Sequence, residues 1–134
     1  MKSKDELWRA KPDAHDYLAA EDFLSLILSE QDAKALAAAL REQPIVQHKV
    51  KDILRAAGLP VLDETNRHVR KDIDKVKAGE RLSPALLVRG DLRRQQPLIV
   101  ADGYHRICAI WHLDEDAYIH GQIVALANLA SDAP

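Results

Sequence analysis

The stretch from Leu98 to Leu113, LIVADGYHRICAIWHL, changes its hydrophobic period once. That change constrains the fold more than any other feature of the chain. Leu98-Ile99-Val100-Ala101 is a short continuous apolar run, the mark of a buried strand, and Asp102-Gly103 breaks it. From Tyr104 the apolar residues Tyr104, Ile107, Cys108 and Trp111 recur at three- and four-residue steps, as on one helix face. Strand, tight turn and helix therefore follow one another directly. The first N–H groups of such a helix lack partners, and the helix dipole adds partial positive charge there. Gly103 lets a ligand or another backbone come close. His105 and Arg106 fall in the first turn, where cations oppose the dipole, and a phosphate or carboxylate would justify them. Two local alternatives need no ligand. In one, Asp102 caps the helix while His105 and Arg106 face water. In the other, Arg106 pairs with Asp102 or a nearby acid and His105 steadies the turn.

The rest of the chain reads as helices leading into a small sheet. With 134 residues, a single domain spanning 1–134 is the expectation. Its apolar fraction of 47% suffices for a core and is too high for disorder. Leu7 and Trp8 form a short helical turn that docks Trp8 on the body. Three helices are expected over residues 14–58. The first runs from Asp16 to Leu28, and the second is capped by Ser29 and stops before Pro44. The third runs from Ile45 to Ala57, ended by Gly58 and Pro60. The small side chains of the second helix invite a homodimer contact through Ala33, Ala37 and Leu40. A fourth helix starts near His68 with Val69, Ile73 and Val76 as its buried stripe. Its charged faces carry Arg67, Arg70, Lys71, Lys75 and Lys77 among Asp72 and Asp74. This is an ordinary solvated pattern, and also the best phosphate-facing surface in the chain. Ala85–Val88, the polar loop Gly90–Gln96 and Leu98–Ala101 make a hairpin. Tyr118–Val124 is a last strand, and the alanine-rich tail extends as a short helix before fading at Ser131 to Pro134.

The series Gly79, Pro84, strand, hairpin, Asp102-Gly103-Tyr104-His105-Arg106 and Ile107-Cys108-Ala109 resembles the DGxHRxxA signature and setting of the ParB/sulfiredoxin-like superfamily. The similarity runs from about Val69 to Val124. It implies an α+β fold: a small mixed sheet with helices in a core over residues 66–124, plus an N-terminal helical extension. It also implies that Gly103, Tyr104, His105 and Arg106 supply backbone N–H groups and cationic donors to the phosphates of a nucleotide. The cofactor stays open, a nucleotide with Mg2+ being the one suggested. Sulfiredoxin chemistry is excluded, because Tyr104 stands where those enzymes carry the catalytic cysteine and a phenol cannot replace a thiolate. Cys108 lies on the apolar stripe and is structural. ParB clamp behaviour is not expected either, since the downstream DNA-binding domain has no counterpart here.

Three functional readings follow. The first is a ParB-like domain that binds a nucleotide or other phosphate ligand at the DGYHR turn. The second is a small-molecule phosphotransferase acting on a hydroxyl, with Asp102 or Glu80 as base. The third is a non-catalytic protein-interaction or DNA-associated module. The net charge of -2 gives no global argument for nucleic acid. Direct DNA binding would require Arg67, Arg70, Lys71, Arg93 and Arg94 to share one face. The six histidines lack a zinc spacing and no carboxylate cluster stands out, so no metal site is expected. A single cysteine, no membrane-length apolar run and no signal-peptide core lead to the expectation of a cytoplasmic protein without a membrane partner.

Overall fold

The computed structural model describes residues 7–129. The elements run α1 (Ala14–Leu24), α2 (Glu30–Arg41), β1 (Val46–Lys49), α3 (Val50–Ala57), α4 (Arg67–Lys77), β2 (Ala85–Val88), β3 (Ile99–Asp102), α5 (Tyr104–Leu113) and β4 (Tyr118–Val124). Single 3-10 turns cover Leu92–Arg94 and Leu126–Asn128. The fold is α+β, and its strands form one mixed sheet in the order β1-β4-β2-β3. β2 lies parallel to β4, and the β1–β4 and β2–β3 pairs are antiparallel. The end of the tail, residues 130–134, lies outside the described residues.

Every side chain of β2 is buried, because helices cover both faces of the sheet. Successive strand residues point to opposite faces. Leu86 and Val88 pack with Leu24, Leu36 and Leu40 of α1 and α2. Ala85 and Leu87 pack with Ile53, Ile107 and Ile110 of α3 and α5. α4 rides on α5, its Val69 and Ile73 meeting Cys108 and Ala109. A buried polar chain crosses the first layer. Tyr17 Oη donates to Gln122 Oε1 at 2.6 Å, and Gln122 Nε2 donates to the carbonyl of Gln43 at 2.7 Å.

Local signals account for most helix ends. Ser29 accepts from Asp32 N at the start of α2, and Asn66 accepts from His68 N and Val69 N at the start of α4. The expected third helix is the main correction. Only Val50–Ala57 is helical, while Val46–Lys49 is an edge strand paired with Lys49 opposite Tyr118. Val46 continues the helical spacing of Val50, Ile53 and Leu54, so the period cannot reveal a strand whose partner lies at residues 118–121. Residues 14–58 are consequently not all helical: they supply an edge of the sheet, with α1 and α2 on one of its faces and α3 on the other. Leu7 and Trp8 are extended rather than helical, with Trp8 bridging Leu82. Ala33, Ala37 and Leu40 are buried inside the protomer, so they cannot form the expected dimer contact. No helix among the described residues is long and apolar enough to cross a membrane.

Candidate phosphate-binding cleft

The end of β3 delivers the chain to α5 through Gly103, whose φ of 112° is one that side-chain-bearing residues rarely adopt. A Cβ there would also meet Ala85 at 3.2 Å and Arg106 Nη2 at 3.0 Å. Gly103 is itself the N-cap, and no side chain caps α5. Asp102 is therefore not the cap that a DG turn suggests. Its carboxylate turns to Arg106 instead, which donates from Nη2 to Asp102 Oδ2 at 3.1 Å and to the Pro84 carbonyl at 3.3 Å.

Arg106 is tied further into the fold. Its Nη2 lies 3.7 Å from Asp16 Oδ2 on α1. Asp16 also accepts from Ser83 Oγ, which in turn accepts from Asp13 N at 3.0 Å. One guanidinium thus faces two enclosed carboxylates, and its Nε is buried without a partner. Burial pushes the Asp102 carboxyl up from its ordinary pKa, and the Arg106 charge opposes that shift. Of the sequence alternatives for Arg106, pairing with Asp102 is the one the geometry adopts.

The uncapped α5 terminus opens on a cleft of about 210 Å3, floored by Asp102–Arg106 and walled by His68, Lys71, Asp72 and Lys75 of α4. Those four α4 residues sit at i, i+3, i+4 and i+7, one stripe flanking the Val69–Ile73 face that packs on α5. Neither lysine forms an ion pair among the described residues. The His68 and His105 rings lie 4.8 Å apart. Burial, with help from the nearby His68 and Arg106 charges, lowers the His105 pKa, and Asp72 opposes it. Burial raises the Asp72 pKa against the pull of Arg106, Lys75, His105 and Lys71. The sequence pattern flagged the α4 cations but missed Asp72 and His68 as cleft members. The four-residue polar stripe was the available signal.

Other candidates are placed differently. Tyr104 sends its hydroxyl back to the Pro60 carbonyl, so its phenol anchors the 60–62 segment. His112 Nε2 lies 2.7 Å from the Leu62 carbonyl, and Leu62 N donates to the buried Cys108 Sγ at 3.4 Å. Glu80 is exposed and does not line the cleft; its N–H closes the end of α4 on the Lys75 carbonyl. Arg93 and Arg94 sit at the hairpin tip, held by Asp91, at the end of β2 and β3 opposite the DGYHR turn. The five cations proposed for DNA therefore divide between two ends of the sheet. Asp13, His15 and Asp16 bring ligand-type atoms within 4.8 Å of one another, a grouping the sequence did not announce. Arg9 already pairs with Asp13, and Ser83 and Arg106 engage Asp16. No family model, curated protein or solved structure matches the chain.

Proposed function

We propose that the chain binds a phosphate-bearing ligand of nucleotide type in the cleft between α4 and α5, in keeping with the ParB/sulfiredoxin-like resemblance of its DGYHR turn. The observation that carries this reading is an uncapped helix N-terminus facing two unpaired lysines across a polar cleft. The anion sits on the first-turn N–H groups of α5 between Lys71, Lys75, His68 and His105. Arg106 holds the turn in shape. An apolar hollow of about 360 Å3, lined by Phe23, Leu59 and Val100, adjoins the cleft across Asp102–His105 and leaves room for the body of the ligand. Asp72 is the one cleft carboxylate without an arginine partner, so any Mg2+ would arrive on the ligand's own phosphates, with Asp72 as a single protein ligand.

Phosphoryl transfer to a hydroxyl is the second reading. It rests on Asp72, because Asp102 is committed to Arg106 and Glu80 stands outside the cleft. Ligand-dependent turnover separates the two readings.

Thermal melts test the binding. At 100 times its dissociation constant, ATP, CTP, GTP or sulfate should stabilise the protein by about 2.7 kcal/mol. Lys71→Ala combined with Lys75→Ala should erase the shift while leaving the unliganded melting temperature nearly unchanged. A wild type that responds to no anion, or a double variant that still responds, would rule the cleft out.

Binding should also strengthen on acidification. His105, with its pKa lowered, is neutral at pH 7.5 and gains a proton as pH falls. Asp72, with its pKa raised, takes up its proton at a higher pH than an ordinary carboxyl. Both changes add positive charge to the cleft. Sulfate keeps its own charge throughout, so its affinity should rise as pH is lowered from 7.5 towards the ordinary carboxyl range, by up to roughly tenfold, the effect of about 1.4 kcal/mol. A flat profile in the wild type, or an unchanged slope in His105→Gln with Asp72→Asn, would contradict the assignment.

A further inference from the structure

A hollow of about 680 Å3 lies away from the cleft, over the ends of β2 and β4 where the hairpin loop leaves the sheet. Its floor is Leu87, Ile123 and Leu98, and one wall is α3 through Ile53 and Ala56. The opposite wall is the 90–97 loop, which is built tightly. Asp91 and Gln96 exchange two backbone hydrogen bonds of 2.9 Å, and a Cβ on Gly90 would meet the Gln96 carbonyl at 2.5 Å. Leu92, 92% exposed, overhangs the opening from that loop. The volume lies in the range of small-molecule sites, which combine an apolar lining with a few placed polar groups.

The rim chooses the polar part of the occupant. Arg89 follows Leu87 by two residues, so it rises from the same face of the sheet, and its N–H continues the ladder to the Val124 carbonyl. It forms no ion pair among the described residues. The other rim charges already have partners: Arg55 lies 3.8 Å from Asp52, and Asp91 is held by Arg93 and Arg94. One uncommitted guanidinium beside an apolar trough suits a single planar carboxylate, which it can grip with two parallel hydrogen bonds. The neighbouring Asp52 and Asp91 disfavour a dianionic phosphate head.

We propose that this groove binds a small amphipathic monocarboxylic acid, its apolar body on Leu87, Leu98 and Ile123 and its carboxylate on Arg89. The groove shares no lining residue with the phosphate cleft, and Leu98 is the one residue it has in common with the apolar hollow beside that cleft.

A homologous series from hexanoate to decanoate, titrated by calorimetry and by backbone NMR on the full chain, tests it. Affinity should rise by up to about fourfold per added methylene until the groove is full. Shifts should centre on Leu87 and Ile123, which line this groove and not the hollow beside the cleft. Methyl esters and alcohols of equal length should bind at least about tenfold more weakly, the scale of a charge-assisted contact. Arg89→Gln, an exposed substitution, should bring the acids down to the ester level, and Ala56→Phe should block all of them. The proposal falls if decanoate fails to saturate below its aggregation threshold, or if ester and acid bind alike. It falls equally if Arg89→Gln changes nothing, if the shifts appear at His68–Lys75 instead, or if a short apolar peptide binds more tightly than the acids.

Discussion

Arg106→Met should lower stability by about 3–5 kcal/mol, the cost of leaving enclosed charges without their partner. For a chain of this size that is a fall of roughly 12–20 °C in melting temperature. The side chain is 17% exposed, and its partners Asp102 and Asp16 are 19% and 6% exposed. Removing the guanidinium leaves both carboxylates facing each other in a poorly hydrated space. Neutralising them tests the cause. Arg106→Met with Asp16→Asn and Asp102→Asn should recover much of the loss, because an amide oxygen at position 16 can still accept from Ser83. The pH dependence should also steepen. The Asp102 carboxyl, already raised by burial with Arg106 beside it, rises further once that charge is gone. The folded state then binds more protons than the unfolded chain, and the single variant should gain stability as pH falls, more steeply than the wild type. A loss below about 1 kcal/mol in urea melts would mean the network is dispensable and Arg106 is free to act as a ligand donor.

The elements whose causes are local were legible in the sequence. The period change at Asp102-Gly103 marked β3 and α5, Ser29 marked the start of α2, and Gly58 marked the end of α3. What was hidden depends on distant partners. Val46–Lys49 becomes a strand only because β4 offers it an edge, and nothing within residues 45–57 reports residues 118–121. The cleft was half visible for the same reason. Arg106 in a first helical turn promised an anion, and the spacing to Asp102 allowed an internal pair as well. The deciding residue was Asp16, which reaches the turn from another helix across Ser83. His68, Lys71, Asp72 and Lys75 were evident as one polar stripe, and only the packing of α4 on α5 aims that stripe at the turn.

Trp8→Ala should cost a further large amount, about 3–5 kcal/mol, because an indole that is 2% exposed leaves a cavity no neighbour can fill. The side chain belongs to the cluster of Val50, Ala85, Ile107 and Ile119, and it stacks on His120 with ring centroids 5.9 Å apart. Its Nε1 donates to the Tyr118 carbonyl at 3.0 Å. Trp8→Phe should therefore cost less, about 1–3 kcal/mol, because it keeps most of the volume and removes the indole hydrogen bond. The larger substitution should also act on the backbone. Leu82 N donates to the Leu7 carbonyl and Arg9 N to the Leu82 carbonyl, each at 2.8 Å, so the indole pins a two-bond bridge to the segment that enters β2. Amide exchange at Arg9 and Leu82 should accelerate in Trp8→Ala by far more than exchange at Leu36 or Leu40 on the other face of the sheet. Equal acceleration at all four amides would mean that only global stability has fallen, and that the bridge has no role of its own. Selective acceleration would show that Trp8 holds residues 7–9 against Leu82, one residue before Ser83, whose hydroxyl positions Asp16 against Arg106. The indole would then stand at the start of the chain of contacts that fixes the turn of the candidate site.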